Sequence, residues 1–199
     1  AYVEQLAEIY DTVGTTRTFQ TYTGRYVEET GSRYGWKIDV EAETKGLRET
    51  LASGRSQERI PEFSQTGAAY TKSDDIGYSY VEVDLTNQHV YLIVSGKLVT
   101  DSPCVTGCVK NGHGTPDGLY SVTYKESPSV LRGEDYETKV NFWMPFNRGI
   151  GLHDATWRDK FGGDIYYSSG SHGCVNLPYQ KAAVIYENIY AGMPVICYY

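Results

Sequence analysis

Apolar and polar positions along the chain change period near residue 78. Before it, Tyr2 to Tyr10 follows a helical pattern that stops near Gly14. Residues 18–29 read as a hairpin turning at Thr23-Gly24. Asp39 is placed to cap a helix reaching Ala52, with Val40, Leu47 and Leu51 on one face and Gly54 at its close. The stretch 55–70 turns polar, with Pro61 and Gly67, and Lys72-Ser73-Asp74-Asp75 follows. A connection between two units is expected here. Beyond it the period becomes that of strands. Val81, Val83 and Leu85 alternate with Glu82 and Asp84, as in a half-buried strand. Thr86-Asn87-Gln88 leads into a strand at 89–94, Ser95-Gly96 into 98–105, and Gly114-Thr115-Pro116-Asp117-Gly118 into 119–124. Residues 125–150 are mixed and end in the aromatic run Phe142-Trp143-Met144-Pro145-Phe146. Pro178 is placed to open a helix running to about Tyr190 and ended by Gly192, and 194–199 closes as a strand. The pattern predicts an α+β chain: a small α+β domain at 1–65, a linker at 66–77, and a mainly β domain at 78–199 with one C-terminal helix.

Composition refines this picture. The 199 residues are 40% hydrophobic, enough for one main core and a small second unit. Nineteen tyrosines and 21 glycines suit strands and turns. A net charge of −7 argues against a nucleic-acid partner and gives no general attraction to anionic membranes or wall polymers. The chain starts at Ala1, shows no signal peptide, and has no run near the ~18 apolar residues of a membrane span. It reads as the trimmed soluble part of something longer.

Four cysteines, Cys104, Cys108, Cys174 and Cys197, are too sparse for a disulfide scaffold. Cys104 and Cys108 would lie roughly 13 Å apart in an extended strand, so only a tight turn at Thr106-Gly107 would let them bridge. Cys104, Cys108 and His113 have zinc-ligand chemistry, but the spacing matches no ribbon or knuckle and a fourth ligand is not evident. No metal and no cofactor is expected. Cys197, in the closing strand, reads as a small core residue.

Cys174 differs from the other three. It lies in the run Ser171-His172-Gly173-Cys174-Val175-Asn176, and His153 precedes it behind Gly149-Ile150-Gly151-Leu152. An imidazole beside a cysteine activates the sulfur as a nucleophile. Gly173 permits close backbone approach, so amides at Gly173 and Cys174 are candidates for stabilising an oxyanion. Ser171 and Asn176 supply hydrogen bonds for the loop. A cysteine–histidine pair alone is more often a packed thiol beside a satisfied histidine.

The ordered pattern is more specific than the pair. His153 is followed by seventeen residues, 154 through 170, and then by Ser-His-Gly-Cys-Val-Asn. This resembles the signature of the L,D-transpeptidases, the YkuD-type catalytic domain. Thr106-Gly107, the Thr115-Pro116-Asp117-Gly118 turn, and Val83-Asp84-Leu85 with Val90-Tyr91-Leu92 resemble further elements of that family, so the likeness covers about 78–199. Residues 18–65, including Tyr34-Gly35-Trp36-Lys37-Ile38-Asp39, resemble the small peptidoglycan-binding domain that precedes the catalytic domain in some Gram-positive members.

The resemblance implies a YkuD-like β-sandwich with a C-terminal helix. It implies a cysteine acyltransferase in which Cys174 attacks the carbonyl between the third and fourth residues of a donor stem peptide and releases the terminal D-residue. An amine of a second stem then takes the acyl group, or water does in a carboxypeptidase side reaction. His153 is favoured as base, with His172 as the alternative. Asp154 would orient the imidazole through its side chain or its carbonyl. His172, Gly173 and Cys174 would form the oxyanion wall. Ser171, Asn176, Trp157, Trp143 and Met144 are candidate substrate contacts, and 120–150 a candidate lid and cleft wall. Implied partners are donor and acceptor stem peptides and, as inhibitors, carbapenem-type β-lactams. The implied location is extracytoplasmic, at the wall or anchored through a segment absent from this chain. A papain-like peptidase is disfavoured by chain order, because His153 precedes Cys174. A non-catalytic wall-binding relative would be expected to lack one of the two.

Overall fold

The computed structural model describes residues 1–29, 33–70, 74–133 and 137–199. The N-terminal unit comprises α1 (Tyr2–Tyr10), the hairpin β1 (Arg17–Gln20) and β2 (Tyr26–Glu29), β3 (Lys37–Ile38), α2 (Val40–Ala52) and β4 (Phe63–Gln65), which pairs with β3. The Asp39 side chain accepts a hydrogen bond from the Ala42 amide at 3.0 Å and so caps α2 as expected. The face expected to be apolar is different. Leu51 is 72% exposed, and the residue that α2 buries is Glu43, whose charge is met by Arg59 at 2.5 Å. The pairing of a charge from beyond the helix, which helical periodicity does not register, decided the buried face.

The second unit holds β5 (Tyr80–Asp84), β6 (His89–Val94), β7 (Lys97–Pro103), β8 (Gly118–Ser121), the hairpin β9 (Ser129–Arg132) and β10 (Glu137–Val140), β11 (Trp143–Asn147), β12 (Ile150–Asp154), α3 (Ile165–Ser169), β13 (Val175–Leu177), α4 (Tyr179–Asn188) and β14 (Pro194–Tyr198). Strands β7-β6-β5-β14-β8 form one sheet, antiparallel except where β14 runs parallel to β5, and β11-β12-β13 form a second. Between β6 and β7 the turn is Ser95-Gly96, both at positive φ, the two-residue hairpin turn whose twist matches that of its strands. The two sheets enclose a core that includes Val81, Val83, Leu92, Val195 and Cys197 from the first and Met144, Phe146, Leu152, Val175 and Leu177 from the second, with Ala182 and Ile185 of α4. The protein is a mixed α+β fold, mainly β.

The half-buried strand expected at 81–85 is buried on both faces. Val81 and Val83 enter the core, while Glu82 on the opposite face is also fully enclosed. That outer face is covered by the N-terminal unit: Phe19, Tyr34 and Ile76 pack with Leu119, Ile196 and Tyr198. Glu82 accepts hydrogen bonds from the Tyr22 amide at 2.8 Å and the Tyr198 hydroxyl at 2.9 Å. Described residues within the expected linker at 66–77 take part in this contact. Asp75 is buried against the Arg17 guanidinium, whose Nε donates at 2.7 Å, and Ile76 belongs to the apolar contact between the units. Thr71, Lys72 and Ser73 of that stretch lie outside the described residues.

Candidate active site

Sheet register places the site. Trp143 on β11 is the cross-strand partner of His153 on β12, and His153 is the partner of Asn176 on β13. Because side chains alternate along strands, this row shares the face opposite Leu152 and Val175, which point into the core. Cys174 stands two residues before Asn176 and so falls on the same face. Thus residues from 143, 153, 174 and 176 converge although the chain between them is long.

A cavity of about 250 Å³ opens over this row, lined by His153, Trp157, Arg158, Cys174 and Asn176, with Ser171 and His172 at its side and Leu131 and Thr138 above. Leu131 and Thr138 come from the β9–β10 hairpin, which makes part of the candidate lid a wall of the cavity. Residues 134–136 lie outside the described residues. Cys174 is 9% exposed and packs with Val140 and Trp143. Burial pushes its thiol up to about 11, against a backbone hydrogen bond from Gly151 that lowers it. Burial also pulls the His153 imidazole below the usual histidine range, opposed by its hydrogen bond to Asp154. Burial thus disfavours the charged form of each group, thiolate and imidazolium alike.

His153 lies between two indoles, with ring centroids 6.0 Å from Trp143 and 5.9 Å from Trp157. Its Nδ1 is 2.8 Å from the Asp154 carbonyl oxygen, which can only accept. Nδ1 therefore carries the proton and Nε2 the lone pair. The Asp154 side chain does not take the orienting role: its carboxylate accepts from the Asn141 amide and side chain and from the Phe142 amide, at 2.7–2.9 Å, and so ties β12 to the entry of β11.

The Ser171–Asn176 loop is braced from within. The Ser171 hydroxyl donates to the Cys174 carbonyl at 2.6 Å and accepts from the Gly173 amide at 3.0 Å. That amide is thus engaged by Ser171. What Gly173 supplies is its conformation, a φ of +123° that side chains disfavour, with a Cβ there only 3.1 Å from Ile150 Cδ1. Thr115 donates to the Gly173 carbonyl at 2.6 Å and accepts from the Gly107 amide at 2.9 Å, joining the earlier Thr-Gly and Thr-Pro-Asp-Gly turns to the cysteine loop. His172 is exposed at the cavity edge, its ring 4.9 Å from that of His113. Trp157, half exposed, lies beside the cavity. Met144 is fully enclosed in the core, on the opposite sheet face from Trp143, so its expected substrate contact is corrected to packing.

All four cysteines are free. Cys104 and Cys108 are buried and separate, the latter donating weakly to the Tyr167 carbonyl at 3.5 Å. Among the described residues, no three His, Cys, Asp or Glu side chains converge as a metal site. No described helix is long and apolar enough to cross a membrane. Two residues of the cavity wall that stand out structurally, Thr138 and Arg158, were not singled out in the sequence. The only local hint for Arg158 is its place directly after Trp157.

Residues 78–197 match the family of YkuD-type L,D-transpeptidase catalytic domains. The chain belongs to that family. This L,D-transpeptidase also matches, over residues 1–59, a family described as "Putative peptidoglycan binding domain". Among solved structures, it is similar to a cysteine-to-serine mutant of an Enterococcus faecium L,D-transpeptidase, at 31% identity over 99% of this chain and 79% of that one, with a TM-score of 0.83. A solution structure of the E. faecium catalytic domain acylated by ertapenem shares 36% identity over 63% of this chain and all of that one, with a TM-score of 0.57. An L,D-transpeptidase from Mycobacterium smegmatis, 24% identical over 72% of this chain and 65% of that one, shares the fold at a TM-score of 0.53. No curated protein matches. Together the two family matches mark an L,D-transpeptidase acting on the cell wall.

Proposed function

We propose that the enzyme cross-links peptidoglycan stem peptides between their third residues through a thioester on Cys174. The observation that carries this reading is the common cavity of Cys174 and His153, with Nε2 of His153 left as the proton acceptor by the Asp154 carbonyl. His153 removes the thiol proton as sulfur attacks the carbonyl between the third and fourth residues of the donor. The proton passes to the departing amine, the C–N bond breaks, and the terminal D-residue leaves. The amine of a diamino acid in a second stem then attacks the thioester, loses its proton to His153, and expels the thiol. Because burial disfavours both thiolate and imidazolium, proton transfer that accompanies attack avoids forming a separated ion pair. His153 is preferred to His172 because it is enclosed and oriented, whereas His172 stands at the edge.

The wall formed by Leu131, Thr138 and Trp143 favours an amine over water as acceptor by limiting solvent at the sulfur. The N-terminal unit holds the enzyme on peptidoglycan, at an extracytoplasmic site of action. Carbapenem acylation of the E. faecium relative supports the same thiol chemistry here.

Incubation with a disaccharide-tetrapeptide is expected to yield a cross-linked dimer plus one released D-residue per bond formed, and Cys174→Ala to lower turnover by at least ~10³-fold. Unchanged turnover by that variant would sink the assignment.

A further inference from the structure

The cavity beside Cys174 contains a charge that the reaction just described does not use. Arg158 lines it and is half-buried, yet its Nε is sealed from solvent without a hydrogen-bond partner. Burial lowers its pKa from the ordinary arginine value. Among the described residues, the cavity wall includes no aspartate or glutamate, and no carboxylate pairs with Arg158. Asn176 adds a second unmet group: it is 2% exposed, and its Oδ1 accepts no hydrogen bond. A half-buried guanidinium whose Nε is sealed without a partner or counter-charge is costly, and its fork matches a carboxylate. An unmet amide oxygen beside it suits a peptide N–H. The wall is therefore complementary to an anionic peptide end.

We infer that Arg158 is the specificity-determining residue of the donor site, pairing with the terminal carboxylate of the leaving D-residue. This rests on Cys174 being the nucleophile. The attacked carbonyl must sit at its sulfur, and successive residues of a peptide are about 3.8 Å apart, so the leaving residue's carboxylate lies one residue away. Other carboxylates of the stem lie further along the peptide. A cavity of about 250 Å³ has room for the leaving residue and not for the whole stem. Asn176 Oδ1 then accepts an N–H of the same peptide.

The test compares a tetrapeptide whose only free carboxylate is terminal with its C-terminal amide. On Cys174→Ala protein, calorimetry is expected to find the acid bound about 10–100-fold more tightly than the amide. Adding Arg158→Gln is expected to bring the two affinities within about threefold of each other, while Arg158→Lys keeps part of the preference as a point charge without the fork. The enzyme with Cys174 intact is expected to show the same acid-over-amide selectivity in kcat/KM for release of the terminal group. Equal affinity for acid and amide, or a preference that survives Arg158→Gln, overturns the inference. A binding preference lost with Arg158, in an enzyme that forms no thioester, supports this site and overturns the catalytic reading of Cys174.

Discussion

The two faces of strand β5 are both sealed from solvent, and they are held by opposite chemistry. Its inner face, Val81 and Val83, meets aliphatic side chains from the second sheet in a dry core. Its outer face, Glu82, is met by the N-terminal unit through two hydrogen bonds and an aromatic cluster. The inner face is stabilised by packing alone and has nothing to titrate. On the outer face, burial pushes Glu82 up to about 6, and within the N-terminal unit burial together with Asp117 pushes Glu29 of β2 up to about 7. The strand thus joins a pH-indifferent core to a pH-sensitive contact between units.

The largest effect is expected from making the inner face resemble the outer one. Val83→Asp places an unpaired carboxylate one position from Glu82 but among aliphatic neighbours, at a cost above ~4 kcal/mol. Chemical denaturation should show no folded catalytic unit; a cooperative transition close to the wild type would break the contrast between the faces.

Removing an aromatic from the outer face should cost less. Phe19 meets Tyr80 edge-on at 5.2 Å, and Phe19→Ala is expected to destabilise by about 2–4 kcal/mol. The loss should fall on the contact between units, so limited proteolysis between 66 and 77 should accelerate while the catalytic unit stays folded. Proteolysis spread evenly through the chain would contradict this.

The smallest effect concerns protonation. A raised carboxyl pKa means that the folded state favours the protonated form. The contribution of Glu82 and Glu29 is therefore complete below about pH 4.5 and is lost as pH rises through about 6 for Glu82 and about 7 for Glu29. Asp84 and Asp117 nearby oppose ionisation of Glu82 and Glu29 respectively, and Arg17 favours that of Glu29. Glu82→Gln mimics the protonated carboxyl, accepting from the Tyr22 amide and donating to the Tyr198 hydroxyl. It should stabilise the protein at about pH 8 by on the order of 1–2 kcal/mol and flatten the melting temperature against pH. A pH profile identical to the wild type would show that Glu82 does not titrate in this range.

The contrast also explains what was legible in the sequence. Alternation at 81–85 located β5 and its inner face, because period two follows from covalent geometry. It misjudged Glu82, since a polar residue reads as exposed unless the segment that covers it is known, and that segment lies some sixty residues earlier. The same limit applied to α2, where Arg59 decided that Glu43 and not Leu51 would be buried. In the site, the ordered spacing from His153 to Ser171-His172-Gly173-Cys174-Val175-Asn176 pointed to Cys174 as the candidate nucleophile and His153 as the candidate base. Spacing did not reveal that the Asp154 carboxylate is bonded to Asn141 and Phe142, that the Gly173 amide is bonded to Ser171, or that burial disfavours both thiolate and imidazolium.

By itself, then, the sequence determined many of the local elements and the α+β class, and it pointed to Cys174 and His153 as the candidate reactive pair, since these depend on periodicity, turn chemistry and residue type over short stretches. Only the tertiary structure decided which face of β5 would carry a buried acid, how Trp143, His153 and Asn176 form one row across three strands, and that Arg158 would stand without a counter-charge beside Cys174. Strand register and burial by distant segments set these features, and both are properties of the closed fold rather than of any run of residues.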